Sequence, residues 1–168
     1  MKKIMRTMLF IAILVAMNAC SADTAEGSTT DTASTEAMVK DYSYNDSEVE
    51  TMQLINDYRV SVGLNALQRI NHISFKCEEH NDYMIANNVV DHNDFVSRSD
   101  NMIKVLGAKK VGENVAYNYK TSQAAVKAWL ESPGHKENIE GDFTHFGLSV
   151  TVDAKTGKKY YTNIFVKI

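Results

Sequence analysis

Apolar residues in this chain first recur at helical spacing after position 45 and switch to strand alternation near the end. Val49, Met52, Ile55 and Val62 form one stripe, supported by Leu54 and Tyr58. Ser47 and Glu50 have the spacing of a capping box ahead of it, and Gly63 closes it. A second helix is predicted from Asn71, as N-cap, to about Asn87, with Ile73, Cys77, His80 and Met84 on one face. A short third helix fits Ser99 to Leu106, stopped by Gly107. Val115, Tyr117 and Tyr119 alternate within a predicted strand from Val111 to Tyr119. Ser122 to Glu131 reads as a fourth helix with Val126, Trp129 and Leu130 inward. Phe146, Leu148, Val150 and Val152 then alternate with small or polar residues, a turn follows at 153–157, and Lys159 to Ile168 is β-branched and aromatic. That is an antiparallel hairpin. Helices first and a small sheet last predict an α+β fold, because parallel crossover units would alternate the two.

Two segments stand apart from simple patterning. Trp129 and Pro133 are the only tryptophan and proline. Pro133 forces Ser132 out of helical geometry, so the fourth helix is expected to end in a stiff corner that presents His135. Upstream, Gly112-Glu113-Asn114 opens the predicted strand with a glycine and a carboxylate.

The N-terminus is different in kind. Lys2, Lys3 and Arg6 precede an apolar run from Thr7 to Met17, too short to span a bilayer as a stable helix. With Ala19 before Cys20, residues 1–19 read as a lipoprotein signal peptide and Cys20 as the lipidated residue. Ordinary secretion with an unrelated cysteine, or an uncleaved anchor, are the alternatives. Residues 20–45, rich in Ser, Thr, Ala, Asp and Glu, read as a disordered tether. Such a segment spans roughly 25–30 Å and would hold a domain from about residue 46 to 168 close to a membrane. The expected location is the bacterial cell envelope, lipid-anchored, periplasmic or surface-exposed.

Cleavage also shifts the charge. The signal's three cations come off the 18 basic residues of the whole chain, leaving 15 against 21 acidic ones, net −6. No basic block remains, which argues against nucleic acid as a partner. With Cys20 acylated, Cys77 has no partner for an internal disulfide, so the domain must stand on its core.

Five histidines are present. His92 lies in a polar, loop-like run and is free to face a cleft. His80 sits in a helical stripe and reads as a hydrogen-bonded core residue. His72 reads as a surface or first-turn residue, and His145 as packing or site rim. Cys77 could pair with a histidine as a nucleophile, but a small buried hydrophobe is the simpler reading. Phosphate loops, paired-cysteine metal motifs, HExxH helices and nucleophile elbows do not occur.

From Ser47 to Ile168 the chain resembles a bacterial CAP domain, the superfamily of cysteine-rich secretory proteins, antigen 5 and plant pathogenesis-related proteins, also called the SCP domain. The resemblance rests on Ile55-Asn56-Asp57-Tyr58-Arg59 with Gly63-Leu64 and Leu67, on His92, on Gly112-Glu113-Asn114-Val115-Ala116, on Trp129 through Ile139 with His145-Phe146-Gly147, and on Tyr161 to Val166. It implies an α-β-α sandwich with a small antiparallel sheet between helical layers. It also implies a cleft lined by His92, Glu113 and His135, with a second acid that many eukaryotic relatives place three residues after the tryptophan. That position is Ser132 here, and Glu131 lies one residue earlier as the candidate.

Two imidazoles, His92 and His135, could bind Zn²⁺ or another divalent cation, with Glu113 as third ligand or ring orienter. A hydrogen-bonded network without metal is the alternative. Three functions follow as expectations. One is a membrane-tethered, non-enzymatic binding module for lipid, divalent cation or an envelope partner. The second is a metal-dependent, peptidase-like hydrolase with Glu113 as general base. The third is a structural or adhesive envelope module.

Overall fold

The computed structural model describes residues 39–168. The expected signal peptide, Cys20 and most of the expected tether lie outside the described residues. Element order is α1 (Asp46–Ser61), β1 (Gln68–Arg69), α2 (Asn71–Asn87), α3 (Phe95–Leu106), β2 (Lys110–Tyr117), α4 (Ser122–Glu131), α5 (Pro133–Ile139), β3 (His145–Val152) and β4 (Lys159–Lys167).

β4 explains the layering. Its residues from Tyr160 to Val166 are all buried, so both faces of the strand must be covered. Tyr161 and Phe165 join Met52, Ile55, Val126, Trp129 and Ile139 under α1, α4 and α5. Ile164 and Val166 join Ile73, Cys77 and Met102 under α2 and α3. The period-2 alternation of one strand therefore feeds two helical layers, which is the expected α-β-α sandwich. The sheet order is β1-β3-β4-β2, and β4 pairs antiparallel with both neighbours. The short β1 is a parallel addition to β3. Gly147 lets α2 approach the sheet closely: a Cβ there would lie 2.4 Å from the Ser74 backbone nitrogen.

Several local expectations shift. The capping box is Asn45 with Glu48, not Ser47 with Glu50. Glu48 is drawn inward because its carboxylate accepts from the Val150 backbone N–H and the Tyr42 hydroxyl. That turns α1 so that Glu48, Thr51, Met52, Ile55 and Arg59 face in, while Val49 and Val62 are each 47% exposed. Apolar periodicity missed this because part of the buried face is polar. Arg59 is fully buried and donates to the carbonyls of Asn65, Ile139 and Gly141, tying α1 to the end of α5. Gly63, at φ 82°, follows the helix end as expected.

Asn71 is the first residue of α2 rather than its cap; extended Ile70 holds that place. α3 begins at Phe95, four residues early, and β2 ends at Tyr117, where Asn118 turns with φ 64°. Pro133 does end α4, but it also starts a new helix. It occupies the first turn of α5, where a missing N–H costs nothing. Residues 40–45, assigned to the tether, pack on the domain: Tyr42 bonds Glu48, and Tyr44 bonds Ser74.

Candidate functional site

Three loosely related segments converge on the Gly112-Glu113-Asn114 run at the start of β2. Gly112 allows α5 to come close, since a Cβ there would sit 2.8 Å from Asn138 Oδ1 and 3.1 Å from Phe143 Cζ. Asn138 Nδ2 donates to the Glu113 carbonyl at 3.1 Å and to Asn114 Oδ1 at 2.9 Å. Asn114 Nδ2 donates to the His135 carbonyl at 2.9 Å. α5 is thus stitched to β2 through side-chain amides, and His135 rides on it. Trp129 is the deeper anchor: its indole N–H donates to the Val115 carbonyl, fixing α4 against the same strand.

The His92 loop is pinned from two helices. His80 of α2 donates from Nε2 to the Asp91 carbonyl at 2.9 Å, and Arg98 of α3 donates from Nη1 to the Asn93 carbonyl at 2.8 Å. Asp91 accepts from the Asn93 N–H, closing the turn locally.

Glu113 is the hub. Its side chain is only 1% exposed. Arg98 grips it from two nitrogens, Nε to Oε2 at 2.8 Å and Nη2 to Oε1 at 2.9 Å. His92 Nδ1 meets Oε1 at 2.8 Å, on a ring 51% exposed. Burial pushes the Glu113 carboxyl up, but the His92 hydrogen bond and the Arg98 guanidinium outweigh it and leave its pKa below the usual value. His135 Nδ1 bonds Ser132 Oγ at 2.9 Å. Burial, then the neighbouring His92, lower the His135 pKa and favour its neutral ring.

The structure joins His92 to Glu113 directly, and His135 lies near enough for the charge of His92 to act on it. Glu131 does not join them. It is 66% exposed and lies 3.7 Å from Lys127 on the same helix. Ser132, at the position where many eukaryotic relatives carry an acid, contacts His135 instead. His145 bonds Thr144 at the start of β3. His80 is buried, as expected. His72 sits in the first turn of α2, one of its two expected places, and is buried there: the Lys40 N–H donates to its Nδ1 and Asn101 meets its Nε2. Cys77 is fully buried with its thiol pKa pushed well up by burial, which makes it a packing residue and no nucleophile.

Arg98 is the partner of Glu113 that sequence reasoning missed. One signal was available. A buried carboxylate needs a cation, and Arg98 is the sole arginine between His92 and Glu113.

Chemically, the group offers two imidazole nitrogens. With Nδ1 of each ring engaged, Nε2 of His92 and of His135 is the free atom. Glu113 does not fit as a metal ligand: both of its oxygens are taken, and a cation on them would face Arg98. Among the described residues no three His, Cys, Asp or Glu side chains converge as a metal-holding group. Glu113 orients the His92 ring from behind, through Nδ1.

Relatives support the fold. An outer surface protein from Borrelia burgdorferi superposes with a TM-score of 0.67 at 19% identity, over 77% of this chain and 98% of that one. An SCP-domain extracellular protein from Bacillus anthracis superposes at 0.64 with 25% identity, over 73% of this chain and 40% of its own. Among curated proteins, the uncharacterized membrane protein YlbC of Bacillus subtilis is 34% identical over 128 residues, and YkwD of the same organism is 35% identical over 105. These matches take in 72% and 60% of this chain but 34% and 41% of those proteins. No helix among the described residues is long and apolar enough to cross a membrane. The cysteine-rich secretory protein (CAP) family model matches residues 52–166, and with the sandwich and the Gly112-Glu113-Asn114 hub in place, the chain belongs to that family.

Proposed function

We propose that this protein is a non-enzymatic, extracytoplasmic binding module whose open imidazole pair, His92 and His135, captures a divalent cation such as Zn²⁺ or a polar group of an envelope partner. The observation that carries this reading is the state of Glu113. It is buried, gripped by Arg98 from two nitrogens and held below its usual pKa. A general base must accept a proton near working pH and reach a water; a carboxylate locked this way does neither. It works instead as a positioning group that points His92 outward. The hydrolase alternative loses its base on the same ground.

Two nitrogen donors imply modest, pH-dependent affinity, because a protonated ring cannot ligate. Tethering through lipidated Cys20 belongs to the same proposal. Its support is the leader pattern and a curated relative named as a membrane protein. Calorimetric titration with Zn²⁺ tests the site: binding is expected in the wild type and absent in His92→Ala and His135→Ala. Equal binding in all three sinks it. Cys20→Ala tests the tether, with loss from the membrane fraction expected and unchanged fractionation contradicting it.

A further inference from the structure

Behind the Glu113 hub, α2 and α3 enclose a cleft of about 490 Å³ that the imidazole pair does not line. Its volume lies within the range of ligand pockets, about 300–1,000 Å³. His80 reaches it from α2. Because His80 Nε2 donates to the Asp91 carbonyl, its Nδ1 carries a lone pair, and that atom is buried without a hydrogen-bond partner. The residue is 2% exposed. A buried bare acceptor is costly unless something donates to it.

Asp94 lines the same cleft and begins α3 with φ 59°, a left-handed backbone that non-glycine residues adopt at a cost. Its side chain caps nothing in the helix and pairs with no cation among the described residues. Asn93, Ser97 and Asn101 add amide and hydroxyl groups. Tyr83 lies parallel to His80, with ring centroids 5.9 Å apart and planes at 10°, and supplies an apolar platform.

The charges decide the ligand class. Lys76 is taken by Glu79 at 2.6 Å, and Arg98 is taken by Glu113. No spare cation is left to hold a phosphate or carboxylate. A metal ion would meet Lys76 and Arg98 in the lining. The polar walls exclude a lipid chain. What remains unmatched is acceptors, His80 Nδ1 and the Asp94 carboxylate, beside neutral groups and an aromatic face. We infer that this cleft is a binding site for a neutral, hydroxyl-rich ligand, a short saccharide, whose hydroxyls donate to His80 Nδ1 and Asp94 while a sugar face lies on Tyr83.

The test is NMR on the full chain with ¹⁵N-labelled histidine, titrated with N,N′-diacetylchitobiose and with cellobiose. The His80 Nδ1 resonance should shift with at least one disaccharide, and the Tyr83 ring should show saturation transfer to the sugar. Asp94→Gly keeps the left-handed backbone and should weaken binding about tenfold, the worth of a charge-assisted hydrogen bond. Ser97→Trp, on the exposed face of α3, should block the cleft. His92→Ala and His135→Ala should leave sugar binding intact, so this inference and the imidazole-pair reading fail separately. The proposal is overturned if neither sugar moves His80 or Tyr83 at millimolar concentrations, as when water already satisfies Nδ1. It is also overturned if both cleft variants bind like the wild type.

Discussion

Two glutamates are buried among the described residues, and they do different jobs. Glu48 lies on the inner face of α1 and is satisfied by hydroxyls and backbone N–H groups: the Tyr42 and Ser149 hydroxyls and the Val150 and Asn45 N–H groups all donate to it. No cation touches it among the described residues. Glu113 lies under the His92 loop and is satisfied by a guanidinium and an imidazole. The first carboxylate closes a helix end onto a strand through neutral donors alone. The second has one partner that is half in solvent.

The comparison can be broken by taking the partners away. Arg98→Met should have the largest effect, about 3–5 kcal/mol of stability, because it strands a buried charge. Chemical denaturation measures it, and adding Glu113→Met should restore much of the loss. Glu48→Gln should cost less, ~1–3 kcal/mol, since it exchanges one acceptor for an amide among neutral donors. It should leave Zn²⁺ titration at the imidazole pair unchanged. A Glu48→Gln loss that exceeds that of Arg98→Met would erase the distinction between the two carboxylates.

Acid sharpens it further. Glu113 has a depressed pKa when folded, so below the ordinary carboxylate range, about 4.3, the unfolded chain binds the proton first. Its contribution is complete above that range and is lost as pH falls through the lower, folded value. Glu113→Gln should flatten that acid limb of stability against pH. His135 is also depressed, so its smaller contribution is complete above the ordinary histidine range near about 6.5 and is lost as pH falls through its lower, folded value. The smallest effect is His92→Ala. Its ring is half exposed and Arg98 still holds both carboxylate oxygens, so stability should change by under about 0.5 kcal/mol, while cation binding disappears.

Strand alternation and helical apolar spacing carried the α+β class, and the resemblance to the CAP family carried the sandwich. Phe146, Leu148 and Val150 could be placed by period alone. Polar residues that face inward were harder. Glu48 and Arg59 are buried by partners 80 to 102 positions away, and no local pattern encodes such pairings. The same holds at the site. His92, Glu113 and His135 were candidates because the segments around them resemble the CAP family, whereas Arg98 sits in an unremarkable helix and stands out only once the chain has folded it against Glu113. Glu131 lay one position from the expected acid, and a single step along a helix rotates a side chain by about 100°, enough to face solvent. Pro133 was correctly read as a stop, yet a proline that ends one helix is equally suited to start the next.

The central claim is that Glu113 orients the His92 ring without touching what the imidazole pair binds. Ring ¹⁵N NMR of His92 and His135 during Zn²⁺ addition tests it most directly, on wild type and Glu113→Gln. The account predicts metal-dependent shifts at Nε2 of both rings, with Nδ1 of His92 still protonated, and affinity about 10–100-fold weaker in Glu113→Gln. Shifts at Nδ1 of His92, or no response at either ring, would contradict it.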